Sequence, residues 1–234
     1  MAVATQLDLL TQIRDRLDEP TEGYWKNAEL LRWLNEATKD IARKSEVFRT
    51  DATISVTSGT QSYTLPTNLV TILENSTYFK PSSTSQRYPL EPVDQTIAVQ
   101  TWGVNQAITR NRPQQYTTTG YPGSSGSLSM VLYPTPNTNG TIYYTYAKVP
   151  TALATDGSAS GTTVDIPGGW EDVACDYVEY KAQLRRGNYQ AADIAKSNYE
   201  MNLTAMADAG MRLSHVPGQI GWDPWGHYDG YGYW

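Results

Sequence analysis

Much of what enzymes and secreted domains rely on is scarce in this 234-residue sequence. It has one cysteine, Cys175, so no intrachain disulfide can form, and any metal site would need its ligands from elsewhere. The only imidazoles are His215 and His227. Phenylalanine is down to 2 residues, against 17 Tyr and 7 Trp. No stretch approaches the roughly 18 apolar residues of a membrane span. The opening MAVATQLDLL has neither the basic n-region nor the apolar run of a secretory signal. These absences predict a soluble protein made in a reducing cytoplasm. Positive charge is also in deficit, with 18 Lys and Arg against 24 Asp and Glu, a net −6. Tight binding of a phosphate backbone needs clustered cations that release counterions, which this balance argues against. It suits a surface that DNA slides past without sticking.

No catalytic constellation stands out either. There is no P-loop, dinucleotide fingerprint, paired-His helix or Gly-x-Ser-x-Gly elbow. Gly120, Gly123 and Gly126 lie in a Ser/Gly loop with no helix to follow, a poor phosphate cradle. Asp172 and Asp176 stand four apart on one helical face, and read best as a solvated acidic first turn that complements the helix dipole. His215 and His227 read as ordinary polar groups of the tail. Cys175, on a helix, reads as a small buried hydrophobe. Asn75-Ser76-Thr77 matches a glycosylation sequon in pattern only. No cofactor, metal or catalytic residue is expected, and the enzyme class is the weakest.

Apolar residues make up 39% and charged residues 18%, a globular composition with length enough for a core. Thr5 to about Asp18 carries Leu7, Leu10, Ile13 (or Arg14) and Leu17 at helical spacing, with Thr5 and Asp8 fitting a capping box. After Pro20 and Gly23, Asn27 is placed to cap a second helix running to about Ser45, with Leu30, Leu31, Leu34, Ala37 and Ile41 inward and Trp33 on its flank. The two make an antiparallel hairpin. Near Thr50 the period changes to two. Thr53–Thr57 and Gln61–Leu65 read as a β-hairpin around Ser58-Gly59, and Leu128–Leu132 with Ile142–Tyr146 as a second. Between them, Val70–Lys80 reads as one strand and Asp94–Gly103 as a short helix on the sheet. The Ser/Thr/Gly runs at 82–85, 117–127 and 155–163 read as loops.

Helical period returns at Trp170–Arg186, with Val173, Tyr177, Tyr180 (or Lys181) and Leu184 together and a stop at Gly187-Asn188. A longer helix follows from about Tyr189 to Leu213, with Ala192, Ala195, Tyr199, Leu203 and Met206 inward. Neither helical pair can bury its stripe alone. The expected architecture is therefore α+β. A four-helix bundle is built from both chain ends (1–49 and 167–213), with a central β-rich, sandwich- or barrel-like insertion (50–166) and an extended C-terminal tail (214–234).

Two features rise above this background. Trp25 and Trp33, beside the opening helix pair, are candidate subunit-interface residues. The tail carries Trp222, Trp225, Tyr228, Tyr231, Tyr233 and Trp234 between glycines. Trp and Tyr are common interface anchors, and intervening Gly lets a strand mould itself to a groove. The tail is therefore expected to dock on a partner.

Three stretches carry a family resemblance. Ile13-Arg14-Asp15-Arg16-Leu17 leads to Trp25 and Ala28 through Ala37. Leu128 to Leu132 is followed by Tyr133-Pro134-Thr135-Pro136, Gly140-Thr141-Ile142 and Tyr144 to Pro150. Pro167 to Leu184 includes Trp170, Asp172, Asp176-Tyr177 and Ala182. In order and spacing these resemble the head-to-tail adaptor (connector) proteins of tailed bacteriophages, especially the tail tubular ring type of short-tailed phages. The resemblance implies a helical bundle with a β insertion, self-associated into a ring, typically of twelve copies. It implies a portal protein above, a tail nozzle or tube protein below, and a channel through which genome DNA passes without sequence-specific binding. It also implies a virion protein of the neck, made in the host bacterial cytoplasm, with no membrane contact and no catalytic residues. The alternative is a carbohydrate- or receptor-binding module of a phage tail, motivated by the Tyr-, Trp-, Thr- and Ser-rich insertion and disfavoured by the four flanking helices.

Overall fold

The computed structural model describes residues 4–102, 112–120, 128–155 and 163–214, and shows a mixed α+β fold. In chain order the elements are α1 (Gln6–Arg16), α2 (Asn27–Ser45), β1 (Arg49–Val56), β2 (Ser62–Thr64), β3 (Leu69–Ile72), β4 (Tyr78–Pro81), β5 (Tyr88–Pro89) and β6 (Glu91–Pro92). There follow α3 (Gln95–Trp102), β7 (Gln115–Thr119), β8 (Ser129–Tyr133), β9 (Gly140–Lys148), α4 (Glu171–Arg186) and α5 (Tyr189–Ser214).

The opening helix starts on the capping box that its sequence predicts. The Asp8 amide donates to Thr5 Oγ1 at 3.2 Å, and the Thr5 amide donates to Asp8 Oδ2 at 2.9 Å. Its buried face runs through Leu9, Leu10, Ile13 and Leu17, and Leu7, expected on that stripe, is exposed. The second cap differs from expectation. Lys26 holds the cap position without a side-chain bond, and Asn27 is the first helical residue. The Asn27 carboxamide is engaged elsewhere: its Oδ1 accepts from Arg14 Nε and Nη2 at 3.1 and 2.5 Å. All five apolar residues expected to face inward on α2 are buried, and so are the five on α5.

On α4 the expected stripe is displaced. Its buried residues are Val173, Ala174, Cys175, Asp176, Val178 and Ala182, while Tyr177 is half-buried and Leu184 reaches solvent. This helix packs against α1, α2 and α5 at once, and small side chains let those neighbours approach closely. Gly187, at φ +75°, ends it in the left-handed conformation that glycine adopts without cost. Apolar residues of α1, α2, α4 and α5 form one cluster, completed by Phe48, Leu153, Val164 and Ile166. Both ends of the chain thus share a core.

The strands form two sheets, one of five strands ordered β1-β9-β4-β5 with β3 also on β9, and one of four ordered β2-β8-β7-β6. Neither expected hairpin exists. β1 pairs with β9 along its whole length, from Arg49 opposite Ala147 to Val56 opposite Gly140. β2 pairs with β8, Tyr63 opposite Met130. Each turn expected to fold a strand back on its predecessor instead carries the chain from one sheet to the other. The two crossings are tied together, because the Gly59 amide donates to Pro136 O at 2.8 Å and the Ser58 amide to Asn139 Oδ1 at 2.9 Å. Strand alternation specifies which face is buried and leaves the partner open, so the pattern of a hairpin and that of a crossing are the same. Inward residues of both sheets meet in a second cluster that includes Phe79, Met130, Leu132, Ile142 and Tyr144.

Two smaller differences have local causes. The single strand expected over Val70–Lys80 is two, β3 and β4, broken by a turn in which Asn75 takes φ +56°. The first residues of the loop expected at 117–127 belong to β7, and 121–127 lie outside the described residues. The short helix expected near Asp94 is α3, bonded to β7 through Trp102 Nε1, which donates to Gln115 Oε1 at 2.9 Å.

Where β9 meets β4 the backbones come unusually close at Gly140. A methyl there would sit 2.6 Å from the Lys80 carbonyl oxygen and press into the Phe79 ring, which is fully buried. Gly140→Ala should therefore destabilise the fold by about 1–3 kcal/mol, the usual cost of forcing extra volume into a packed core. Gly59→Ala, which meets nothing within 4 Å, should lose only the smaller penalty of its φ of +80°. Denaturant unfolding of both variants measures this, and equal losses would contradict the close-approach argument.

Candidate functional site

The aromatic tail residues Trp222, Trp225, Tyr228, Tyr231, Tyr233 and Trp234, with His215 and His227, lie outside the described residues. Trp25 and Trp33 are described, and both sit inside the chain's own helical core. Trp25 is 0% exposed, with its ring edge-on to Trp33 at 5.4 Å and to Tyr24 at 4.6 Å. The guanidinium carbons of Arg185 and Arg186 lie 5.7 and 5.4 Å from its ring centre. Such burial leaves Trp25 no surface to offer a neighbour.

The segment joining α1 to α2 is held by two side chains. Arg14, buried, donates to the carbonyls of Trp25 and Thr21 at 3.0 and 3.1 Å as well as to Asn27. The Glu19 carboxylate accepts from the amides of Gly23 and Trp25 at 2.7 and 3.0 Å. A loop whose backbone groups are satisfied this way is ordered without any regular element. It buries Trp25 and leaves Tyr24 65% exposed.

A second network crosses the helices. Arg16 on α1 reaches α4, with Nη2 at 2.5 Å from Asp172 Oδ1 and Nη1 at 2.5 Å from Asp176 Oδ1; Glu179 lies 3.8 Å away. Asn202 Nδ2 on α5 donates to the other oxygen of Asp176 at 2.8 Å. The carboxylate pair expected to be a solvated first turn is thus a clamp, with Asp172 73% exposed and Asp176 8%. Next to it, burial pushes the Cys175 thiol up to about 12, against the nearby Arg16 charge. Its thiolate is therefore out of reach at neutral pH. Three residues before Asn202 on α5, Tyr199 donates to Asp40 Oδ2 at 2.5 Å while Lys44 pairs with the same oxygen at 2.7 Å. Burial, then the Asp40 bond, raises the Tyr199 phenol far above its ordinary value. These groups fasten helices to one another. No group of three or more His, Cys, Asp or Glu with metal-binding geometry occurs among the described residues.

Exposed apolar side chains lie elsewhere on the helices. On α5, Ile194 is 59% exposed and Met201 64%. They are seven positions apart, so they share one face of the helix, away from Ala192, Ala195, Tyr199 and Leu203. Tyr189 is exposed at the start of the same helix. Sequence reasoning missed this strip because it looked for the inward stripe. The available signal was the pair of apolar residues lying off it.

A family model described as SU10 adaptor protein matches residues 4–220, a span that includes every element from α1 to α5. No curated protein matches the chain. No helix among the described residues is long and apolar enough to cross a membrane.

The Arg16 clamp separates two carboxylates that look equivalent in sequence. Asp176→Ala removes a buried acceptor and strands Asn202, and should cost about 1–3 kcal/mol. Asp172→Ala removes an exposed partner and should cost less than about 1 kcal/mol. Unfolding free energies of the two variants test the assignment, and equal costs would refute it.

Proposed function

We propose that this chain, which belongs to the SU10 adaptor protein family, a family of phage head-to-tail adaptors, joins the portal of a tailed phage to its tail. In this reading it is a structural virion component without catalytic activity. Copies pack side by side into a closed ring of twelve, with the portal protein on one side, a tail nozzle or tube protein on the other, and genome DNA passing through the centre. The net charge of −6 supports a lumen that does not hold a polyanion.

The observation that carries the reading is the Ile194–Met201 strip on α5. It lies on a helix already packed against α2 and α4, and it is an apolar surface that no described residue covers. A ring needs a head-to-tail contact between two different patches of the same chain, repeated until it closes. The strip suits one side of that contact. The aromatic tail, Trp222 to Trp234, is proposed as the arm that reaches the portal or another neighbour, because Trp and Tyr anchors are costly to leave in water.

Mixing the chain with its portal should give a ring of defined mass. Burying an Ile or Met contributes about 1.5–3 kcal/mol. Ile194→Asp with Met201→Asp should therefore weaken ring formation at least roughly ten-fold without unfolding the subunit. Deleting residues 215–234 should weaken portal binding. Sedimentation velocity and portal pull-down read both outcomes. Unchanged assembly in the α5 variant would remove the strip from the account, and unchanged portal binding after deletion would remove the tail.

A further inference from the structure

We propose that, in the free subunit, the tail segment Trp222-Asp223-Pro224-Trp225 seats in a groove of its own chain, between α2 and the ends of β3 and β9. The groove has a volume of about 630 Å³ and is lined by Lys39, Arg43, Asn68, Leu69, Val149 and Pro150, with Thr67, Val70 and Thr151 completing it. That volume lies within the ~300–1,000 Å³ range of pockets that take a drug-sized ligand. It accommodates aromatic side chains from a short peptide and cannot hold the whole tail.

Charge identifies the occupant. Lys39 and Arg43 stand four apart on α2, both exposed, and neither forms an ion pair with a described residue. The acidic neighbours on their helix are committed elsewhere, Glu36 to Lys181 and Asp40 to Lys44 and Tyr199. The groove thus presents two cations above an apolar floor of Leu69, Val70, Val149 and Pro150. The segment 215–234 has no Lys or Arg, carries Asp223 and Asp229, and sets Asp223 between Trp222 and Trp225. An acidic residue flanked by aromatic rings is the complement of that surface.

Position favours the chain's own tail over a foreign peptide. A methyl at Gly210 would come within 3.3 Å of Val47 Cγ2, so the last turns of α5 run against the end of α2. Arg43 is one helical turn before Val47. From Ser214, where α5 ends, to Trp222 the chain can extend roughly 25 Å at ~3.3 Å per residue. The groove and the last turns of α5 therefore both adjoin the C-terminal part of α2. Seating there covers the tail's aromatic residues until a partner takes them, and it holds whether that partner is the portal or something else.

The test uses the full chain with Trp225 replaced by p-benzoylphenylalanine, irradiated as the isolated subunit, with crosslinks mapped by mass spectrometry. The expected product is a link within one chain to Leu69, Val70, Val149 or Pro150. Lys39→Glu with Arg43→Glu, both on exposed side chains, should lower that yield roughly five-fold or more while the circular dichroism and melting temperature hold, as expected from reversing two exposed charges that pair with no described residue. Links elsewhere on the chain, links only between copies, or no link at all would overturn the proposal, as would a yield unaffected by the charge reversal. Each of these outcomes can occur with portal binding intact, so this failure is distinct from failure of the adaptor reading.

Discussion

The fold depends on a contact between residues 160 positions apart: Arg16 of the first helix against Asp176 of the fourth. A helical pair of this size cannot bury an apolar stripe on its own. The first pair needs the last, and the β-rich segment therefore lies in sequence between two halves of one helical core while building a core of its own. Apolar burial supplies most of the attraction, but it is non-directional. The guanidinium fork, held by Asp172 and Asp176 with Asn202 on the remaining oxygen, sets which faces of α1, α4 and α5 meet. Arg14, two residues earlier, fixes the α1–α2 connection by grasping its carbonyls.

What was legible in the sequence follows from this division. Helical period identified the inward faces of α2 and α5, because those stripes face a single large core, although α2 begins at Asn27, the residue expected to cap it. It failed on α4, where three neighbours surround the helix and small residues matter more than large ones. Strand period identified the inward residues of β1, β8 and β9 but not their partners. Both supposed hairpin turns carry the chain between sheets, and nothing in an alternating pattern distinguishes a return from a crossing. Asn27 and Asp176 were misread for a shared reason. Each has the local form of a terminus residue, and each is claimed by an arginine that only the folded chain brings near.

The two tryptophans of the opening helix pair illustrate the same limit for the site. Aromatic residues flanking an amphipathic helix look like interface anchors, yet Trp25 is enclosed by Trp33, Tyr24 and two arginines of the α4 terminus. The surface with interface character is on α5, in a pair of aliphatic residues that stand out only once the inward face is known. The described chain offers two exposed aliphatic side chains on α5, and the aromatic residues from Trp222 to Trp234 follow in the sequence. The adaptor role proposed above assigns the first to contact between copies and the second to a different neighbour. Polar groups in the interior fasten helices, and the buried, neutral Cys175 takes part in that packing.

Cryo-electron microscopy of the chain assembled on its portal tests the central claim most directly. The account predicts a closed ring against the portal, with Ile194 and Met201 of each copy covered by the next and the Arg16 clamp intact inside every subunit. A chain that stays monomeric beside its portal, or a ring that leaves the α5 strip in solvent, would contradict it.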